Sequence, residues 1–298
     1  MHNRAGKAEK NQGMKVIIES GATKGDWRLI SADGREIGQF PAEGTNVSTM
    51  KMETIVDRII QTGRKVKESA SERITSVHFY TAGVITEQIR HELSEALMSV
   101  FSGAETEIQD DLTAAARAVC GHNPGIAAIL GTGSNSCQFD GERIVRRIYS
   151  GGFILGDEGS AARLGKLFIS DFLKGLVPAH IANALTERCD TSYEAIVENI
   201  YRSSGSPSAY LGDLAPFIME HYEDPYIRNL VDGNFRAFFE RSVRQYDYAT
   251  HPVGITGGFG NALKDIICRI ADEEGVRISG FMPKPMEGLI RYHTGQKI

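Results

Sequence analysis

The apolar run from Ile126 to Leu130 ends at Gly131-Thr132-Gly133-Ser134-Asn135, the pattern of a short buried strand closed by a turn of small residues. The chain opens with the same rhythm. A strand is predicted over Lys15 to Ser20, then the turn Gly21-Ala22-Thr23-Lys24-Gly25, a strand over Asp26 to Ser31, an Asp33-Gly34 hairpin turn and a third strand through Phe40. Beyond a loop holding Gly44 and Asn46, apolar spacing predicts an amphipathic helix over Thr49 to Lys67. A strand at Ser76 to Thr81 and a helix from Thr86 to Ser102 follow. Glu105 to Ile108 reads as a short strand, Asp110-Asp111 as the turn leaving it, and Leu112 to Cys120 as an alanine-rich helix.

The second half repeats this order. Strand Ile126 to Leu130 and its glycine turn lead into strands at Ser136 to Asp140 and Ile144 to Tyr149, joined by an Asp140-Gly141 turn. Independent hairpins would seldom share both devices, so duplication is the better account. Helical patterns fill Ser160 to Tyr248. Alternation then resumes with strand Pro252 to Thr256, helix Ala262 to Glu274, strand Arg277 to Phe281 and helix Pro285 to Tyr292. A third glycine turn, Gly257-Gly258-Phe259-Gly260-Asn261, stands at the carboxyl end of a strand, where open sheets bind their ligands. The reading is an α/β protein of two domains, 14–117 and 118–284, with residues 160–248 a helical insertion in the second. Segment 285–298 is expected to pack on the first domain, and residues 1–13, without hydrophobic period, read as a disordered extension.

Composition narrows the functions. With 298 residues and 41% hydrophobic content the chain can bury two cores. A formal net charge of −5 lacks the basic excess of a nucleic-acid surface. No apolar run approaches spanning length and no leader pattern opens the sequence, so a cytoplasmic protein with neither nucleic acid nor membrane as partner is expected. Cys120, Cys137, Cys189 and Cys268 are scattered without a CxxC pair, which fits reduced thiols.

Glycines at the end of a strand let backbone N–H groups approach an anion, and the hydroxyls of Thr132 and Ser134 add donors. Asp157 and Glu158, just before a helix start, supply carboxylates for a sugar hydroxyl or a hydrated metal ion. Gly159 to Leu167 falls short of a P-loop, since five residues separate its glycines and Leu167 stands where a hydroxyl is needed. No GxGxxG, GxSxG or HExxH occurs, and the histidines lack ligand spacing.

GATKGDW from Gly21, DDLTAAARA from Asp110, GTGSN from Gly131, GDEGSAARLGKLF from Gly156, GGFGNAL from Gly257 and PMEGLIRYH from Pro285 together resemble the N-acetylglucosamine kinase family. That family is related to the benzoyl-CoA reductase activator ATPases, within the actin, hexokinase and heat-shock chaperone superfamily. The resemblance implies two ribonuclease-H-like domains around a nucleotide cleft, and ATP-dependent phosphorylation of an amino sugar, N-acetylglucosamine to its 6-phosphate. It implies that Gly21, Thr23, Lys24, Gly131, Thr132, Gly133, Gly257 and Gly258 hold ATP. Asp111 matches the base that takes the proton of the sugar hydroxyl. Asn46, Ser134, Asn135 and Asp157 match or adjoin the sugar-contacting positions, although Asn46 reads equally well as an ordinary loop residue. Asp110 reads as structural.

One departure concerns the metal. The family places an aspartate at the end of the first strand to hold magnesium through water; here the residue is Glu19, and Gly25 replaces a usual hydroxyl residue. The extra methylene leaves open a sugar- or nucleotide-binding protein with weak turnover. A reductase-activating ATPase is a further alternative, although no cysteine adjoins Gly257 to hold an iron–sulfur cluster. ATP and magnesium are the implied cofactors, sugar and ATP the partners, and a homodimer is compatible with the family.

Overall fold

The computed structural model describes residues 13–21, 24–47, 50–83, 86–202 and 205–296. In chain order the elements are β1 (Met14–Ser20), β2 (Lys24–Ile30), β3 (Glu36–Glu43), α1 (Met52–Glu68), β4 (Ile74–Thr81), α2 (Glu87–Val100), β5 (Glu105–Asp110) and α3 (Asp111–Cys120). There follow β6 (Gly125–Leu130), β7 (Ser134–Phe139), β8 (Ile144–Ile148), α4 (Gly152–Leu155), α5 (Ala161–Leu173), α6 (Ala179–Arg188), α7 (Tyr193–Val197), α8 (Pro207–Gly212), α9 (Ala215–Glu220) and α10 (Pro225–Arg241). The chain closes with β9 (Val253–Thr256), α11 (Gly258–Ala262), α12 (Lys264–Glu273), β10 (Ile278–Met282) and α13 (Met286–Thr294).

Two compact units divide these elements. One runs through Gly121 and takes back the segment from Pro285; the other is His122–Lys284. The first holds a five-stranded sheet in the order β3-β2-β1-β4-β5, the second a five-stranded sheet in the order β10-β9-β6-β7-β8. In both, the first strand pairs antiparallel with the next, which pairs antiparallel with the third, while a later strand joins the first in parallel. The order and sense of the strands are therefore the same in the two units, as the repeated turn pattern predicts. This is the two-domain ribonuclease-H-like fold of actin-like ATPases.

In the first sheet, alternation along β1 separates two cores. Val16 and Ile18 face α1 and α2, against Ile55, Ile59, Leu93 and Leu97. Ile17 faces the other way, with Tyr80, Ala114 of α3 and Met286, Leu289 and Ile290 of α13. A polar network ties α13 down on that second face. Lys15 Nζ donates to the His293 carbonyl at 2.7 Å, and Tyr80 Oη lies 2.7 Å from His293 Nε2. Arg117 donates to Tyr80 Oη and to Glu107, each at 2.7 Å, and His78 Nδ1 lies 2.9 Å from Glu107. The guanidinium only donates, so the Tyr80 oxygen is an acceptor of Arg117. Burial first, then the charges of His78 and Arg117, push His293 down to about 2. Ligand atoms of His78, Glu107 and His293 lie within 4.8 Å of one another. In this cluster Arg117 is on Glu107 and Tyr80 is on His293.

In the second unit, Ile126, Ala128, Leu130, Val253 and Ile255 meet Leu164, Phe168, Phe235, Phe238 and Phe239 of α5 and α10, which makes the helical segment part of the core.

Three expectations need correction. Asp110-Asp111 is no free turn: Asp110 ends β5 and caps α3, of which Asp111 is the first residue. Ser134 and Asn135 are paired in β7 with Leu130 and Ile129, despite their weak strand propensity. The third glycine turn closes into the short helix α11, and the expected helix Ala262 to Glu274 starts only at Lys264. The expectations for residues 1–12, Thr23 and Thr49 lie outside the described residues.

Candidate active site

Register aligns the carboxyl ends of three parallel strands in the first unit: Ser20 is paired with Thr81, and Thr81 with Asp110. Three hydroxyls fix the loop beside this edge. Thr45 donates to Ser20 Oγ at 2.8 Å through both its N–H and its hydroxyl, and Thr81 Oγ1 donates to the Thr45 carbonyl at 2.6 Å. Ser20, Thr45 and Thr81 are all buried, where a hydroxyl without a partner would cost about 1–3 kcal/mol. Asn46 follows directly and is half-buried, its carbonyl accepting the Met50 N–H at 3.1 Å. Arg58 donates to the Gly44 carbonyl from the other side.

Glu19 alternates with Ser20 and so points to the face of Ile17, the face that carries α3. Across the antiparallel ladder stands Asp26, its carboxylate held by Arg28 at 2.8 and 2.9 Å. That ion pair offsets the repulsion two directly opposed carboxylates would otherwise feel. At the start of α3, Asp110 Oδ1 accepts the Thr113 N–H at 2.8 Å and its hydroxyl at 2.6 Å. Asp110 is thus occupied as a helix cap, while Asp111, half-buried in the first turn, sits where the helix dipole favours an anion. Gly21 and Lys24 close the first hairpin, the glycine N–H donating to the lysine carbonyl at 3.0 Å, and Lys24 is exposed.

In the second unit the turn after β6 is fixed by α5. The Ala161 and Ala162 N–H groups donate to the Gly131 and Thr132 carbonyls at 3.0 Å, and the Gly131 N–H donates to the Gly133 carbonyl at 3.0 Å. A trans peptide points its N–H opposite to its carbonyl. The Thr132 and Gly133 N–H groups are therefore turned away from α5, as an anion cradle requires. Asp157 borders this turn. It is 7% exposed and is the only described non-glycine residue with positive φ, at 58°. Its carboxylate accepts the Ser150 hydroxyl and the Ser134 N–H. Burial raises its pKa above the ordinary value and Glu158 adds to that, while the two hydrogen bonds and Lys166 oppose it. Glu158 is neutralised separately, 3.2 Å from Arg163 and 2.9 Å from Arg241. Asn135 turns its side chain to the Ser136 N–H at 3.1 Å.

Gly257 has φ +112°, and a Cβ there would stand 2.4 Å from the Leu130 carbonyl, so only glycine lets the chain leave β9 against β6. A Cβ on Gly258 would meet nothing within 4 Å. Register places Thr256 beside both Ile129 and Met282, which brings the 131–133 and 257–258 turns to one edge of the second sheet. Sequence reasoning missed Ser20, Thr45, Thr81, Ser150 and Asn234. Only Asn234 carried a local signal, a lone amide on the apolar face of α10.

No family model matches the chain, and no curated protein matches it. Solved structures do. A proposed N-acetylglucosamine kinase from Porphyromonas gingivalis is 35% identical, with 96% of this chain and 100% of that one covered and a TM-score of 0.85. A second proposed N-acetylglucosamine kinase, from Chromobacterium violaceum, is 18% identical over 95% of this chain and 99% of that one, with a TM-score of 0.75. A ROK family glucokinase from Streptomyces griseus, solved with glucose and AMPPNP, is 16% identical over 94% and 98% of the two chains, with a TM-score of 0.56. The last two share the fold. The identity and full-length cover of the first, with the duplicated sheets and the paired glycine turns, show that the chain belongs to the N-acetylglucosamine kinase family of the actin-like ATPase superfamily.

Proposed function

We propose that the chain is an ATP-dependent sugar kinase that phosphorylates an amino sugar, converting N-acetylglucosamine to its 6-phosphate. The observation that carries this reading is the turn after β6, where outward N–H groups of Thr132 and Gly133 border the carboxylate of Asp157. A phosphate cradle and a hydroxyl acceptor in one turn suit a reaction that joins a phosphoryl group to a sugar oxygen.

In this reading Gly131, Thr132 and Gly133 hold the phosphates of ATP, with Gly21, Thr23 and Lys24 on the first unit and Gly257 and Gly258 on the nucleoside side. Asn46, Ser134, Asn135 and Asp157 hold sugar hydroxyls. Asp111 accepts the proton of the attacking hydroxyl, the sugar oxygen bonds to the γ-phosphorus, and the bond to the β,γ-bridging oxygen breaks to release ADP. The all-oxygen character of Glu19 suits magnesium, which when bound supplies charge neutralisation of the phosphates. Glu19 would hold it through water. The carboxylate of Asp26, opposite Glu19, is held by Arg28. Among the described residues no helix is long and apolar enough to cross a membrane. A cytoplasmic enzyme acting on a small-molecule sugar is the consistent setting.

The test is an ADP-release assay over N-acetylglucosamine, N-acetylmuramic acid, glucosamine and glucose, with and without magnesium. Magnesium-dependent turnover greatest on N-acetylglucosamine supports the reading, and absence of sugar-stimulated ADP release on every acceptor refutes it.

A further inference from the structure

Helix α10 lies in the helical segment that interrupts the second sheet, and none of its residues has a part in the chemistry above. Its inner face is apolar at Ile227, Val231, Phe235, Phe238 and Phe239, with one polar residue among them, Asn234, which is 1% exposed. Both ends of that amide are used by neighbouring peptides. Oδ1 accepts the Gly159 N–H at 3.0 Å, and Nδ2 donates to the Ser160 carbonyl at 3.1 Å. The opposite amide orientation would set two donors and two acceptors face to face, so the assignment is fixed by chemistry.

The backbone it grips is under constraint. Asp157 has φ 58° and Gly159 φ +80°, and the Ser160 N–H closes the turn on the Asp157 carbonyl at 3.0 Å. A left-handed non-glycine residue persists only where its surroundings over-determine it. Ser160 then caps α5 by accepting the Arg163 N–H at 3.0 Å, and the next two N–H groups hold the Gly131 and Thr132 carbonyls. A continuous series of hydrogen bonds runs from Asn234 through 159–160 to the phosphate turn on one side and to Asp157 on the other.

We infer that Asn234 is a positioning residue that sets the 157–160 turn, and through it both the direction of the Thr132 and Gly133 N–H groups and the carboxylate of Asp157. The inference rests on the kinase reading for its kinetic consequence and on geometry alone for its structural one. Asn234 touches no reacting atom. Its loss displaces the groups that do, and displacements near 1 Å cost on the order of 10²-fold.

Two variants of the full chain test it. Asn234→Leu keeps the volume and leaves the Gly159 N–H and Ser160 carbonyl without partners. Asn234→Asp keeps the acceptor for Gly159 and sets a carboxylate against the Ser160 carbonyl, a clash relieved when the carboxyl is protonated and can donate again. Gly233→Ala, where a Cβ meets nothing within 4 Å, is the control on the same helix. Expected for both variants at pH 7.5 is a fall of roughly 10- to 10²-fold in kcat/KM for the sugar, in cooperatively melting protein. The Asn234→Asp deficit relative to wild type should shrink as pH is lowered toward 5.5, and the Asn234→Leu deficit should stay constant. Hydrogen exchange followed by mass spectrometry should show lost protection in peptides covering 131–135 and 157–163, with β1 unchanged.

Wild-type kinetics in both folded variants would overturn the inference, as would protection at 131–135 and 157–163 equal to that of wild type. Failure of both variants to fold would also overturn it, by assigning Asn234 to the fold instead of the site. An inactive wild type refutes the kinase reading alone, because the exchange experiment needs no turnover.

Discussion

Gly133 is packed against the carboxylate of Asp157: a Cβ added to the glycine would stand 3.1 Å from Oδ2. That carboxylate already accepts the Ser134 N–H of the same turn, so it cannot withdraw without giving up a buried hydrogen bond. Gly133→Ala should therefore displace Asp157 by a few tenths of an ångström and lower kcat/KM for the sugar by about tenfold, with little change in melting temperature. Steady-state kinetics beside a thermal melt check this. A variant as active as wild type would show that the carboxylate has room to move.

The adjacent carboxylates of α3 should behave differently. If Asp111 is the base, as proposed, Asp111→Asn removes the proton acceptor and keeps the shape, and kcat should fall by at least about 10²-fold with modest change in sugar affinity. Asp110 accepts two hydrogen bonds from Thr113. Asparagine caps helices about as well as aspartate, so Asp110→Asn should be nearly silent, whereas Asp110→Ala should cost about 1 kcal/mol of stability. Equal losses of turnover in the two asparagine variants would remove Asp111 from the base's role.

How the sequence foretells these sites depends on how local their causes are. The duplicated sheets were legible because each opens with an apolar run, a glycine turn and an Asp-Gly hairpin, all set by neighbouring residues. The expected turn at Asp110-Asp111 is instead the end of β5 and the start of α3, and it is Thr113, three positions on, that makes Asp110 a cap. Ser134 and Asn135 read as turn residues because their own propensity is weak; pairing with Leu130 and Ile129 overrides it. The Ser20, Thr45 and Thr81 hydroxyls come from three separate elements and meet only through register and a loop. Asn234 lies 75 positions from the glycine it holds, and no local pattern announces such a partner.

The network around α13 makes a pH prediction. His293 falls from its ordinary 6.5 to about 2 in the folded protein, because it is enclosed and faces Lys15, His78 and Arg117, with only Glu107 opposing. Between those values the unfolded chain binds a proton that the native protein refuses, so stability falls as pH drops below about 6.5, by at most about 1.4 kcal/mol per pH unit. Burial works to raise Glu107, but His78 and Arg117 hold it well below the usual carboxylate range, so it contributes the same sign of dependence only at lower pH, below its ordinary 4.5. Thermal melts from pH 7.5 to 5.5 should show a decline that is shallower in His293→Gln. Parallel declines in the two proteins would place the sensitivity elsewhere.

In the proposed reading Glu19 holds magnesium through water, and its substitutions test that role. Glu19 shares a face with α3 and stands opposite Asp26, whose carboxylate is held by Arg28. Glu19→Gln keeps the size and removes the charge, so turnover should fall strongly and the magnesium concentration for half-maximal rate should rise. Glu19→Asp keeps the charge and withdraws it by one methylene. Where the surrounding pocket is built for the longer side chain, aspartate should weaken the magnesium dependence and slow the reaction. Where the pocket suits the shorter side chain, aspartate should raise a poor rate. Restoring a hydroxyl at Gly25 should help little, because a Cβ there would already stand 3.2 Å from the Glu43 carbonyl and 3.4 Å from Ser20 Oγ. Rate against magnesium concentration for wild type, Glu19→Asp and Glu19→Gln distinguishes these cases, and three superimposable curves would remove Glu19 from the metal position.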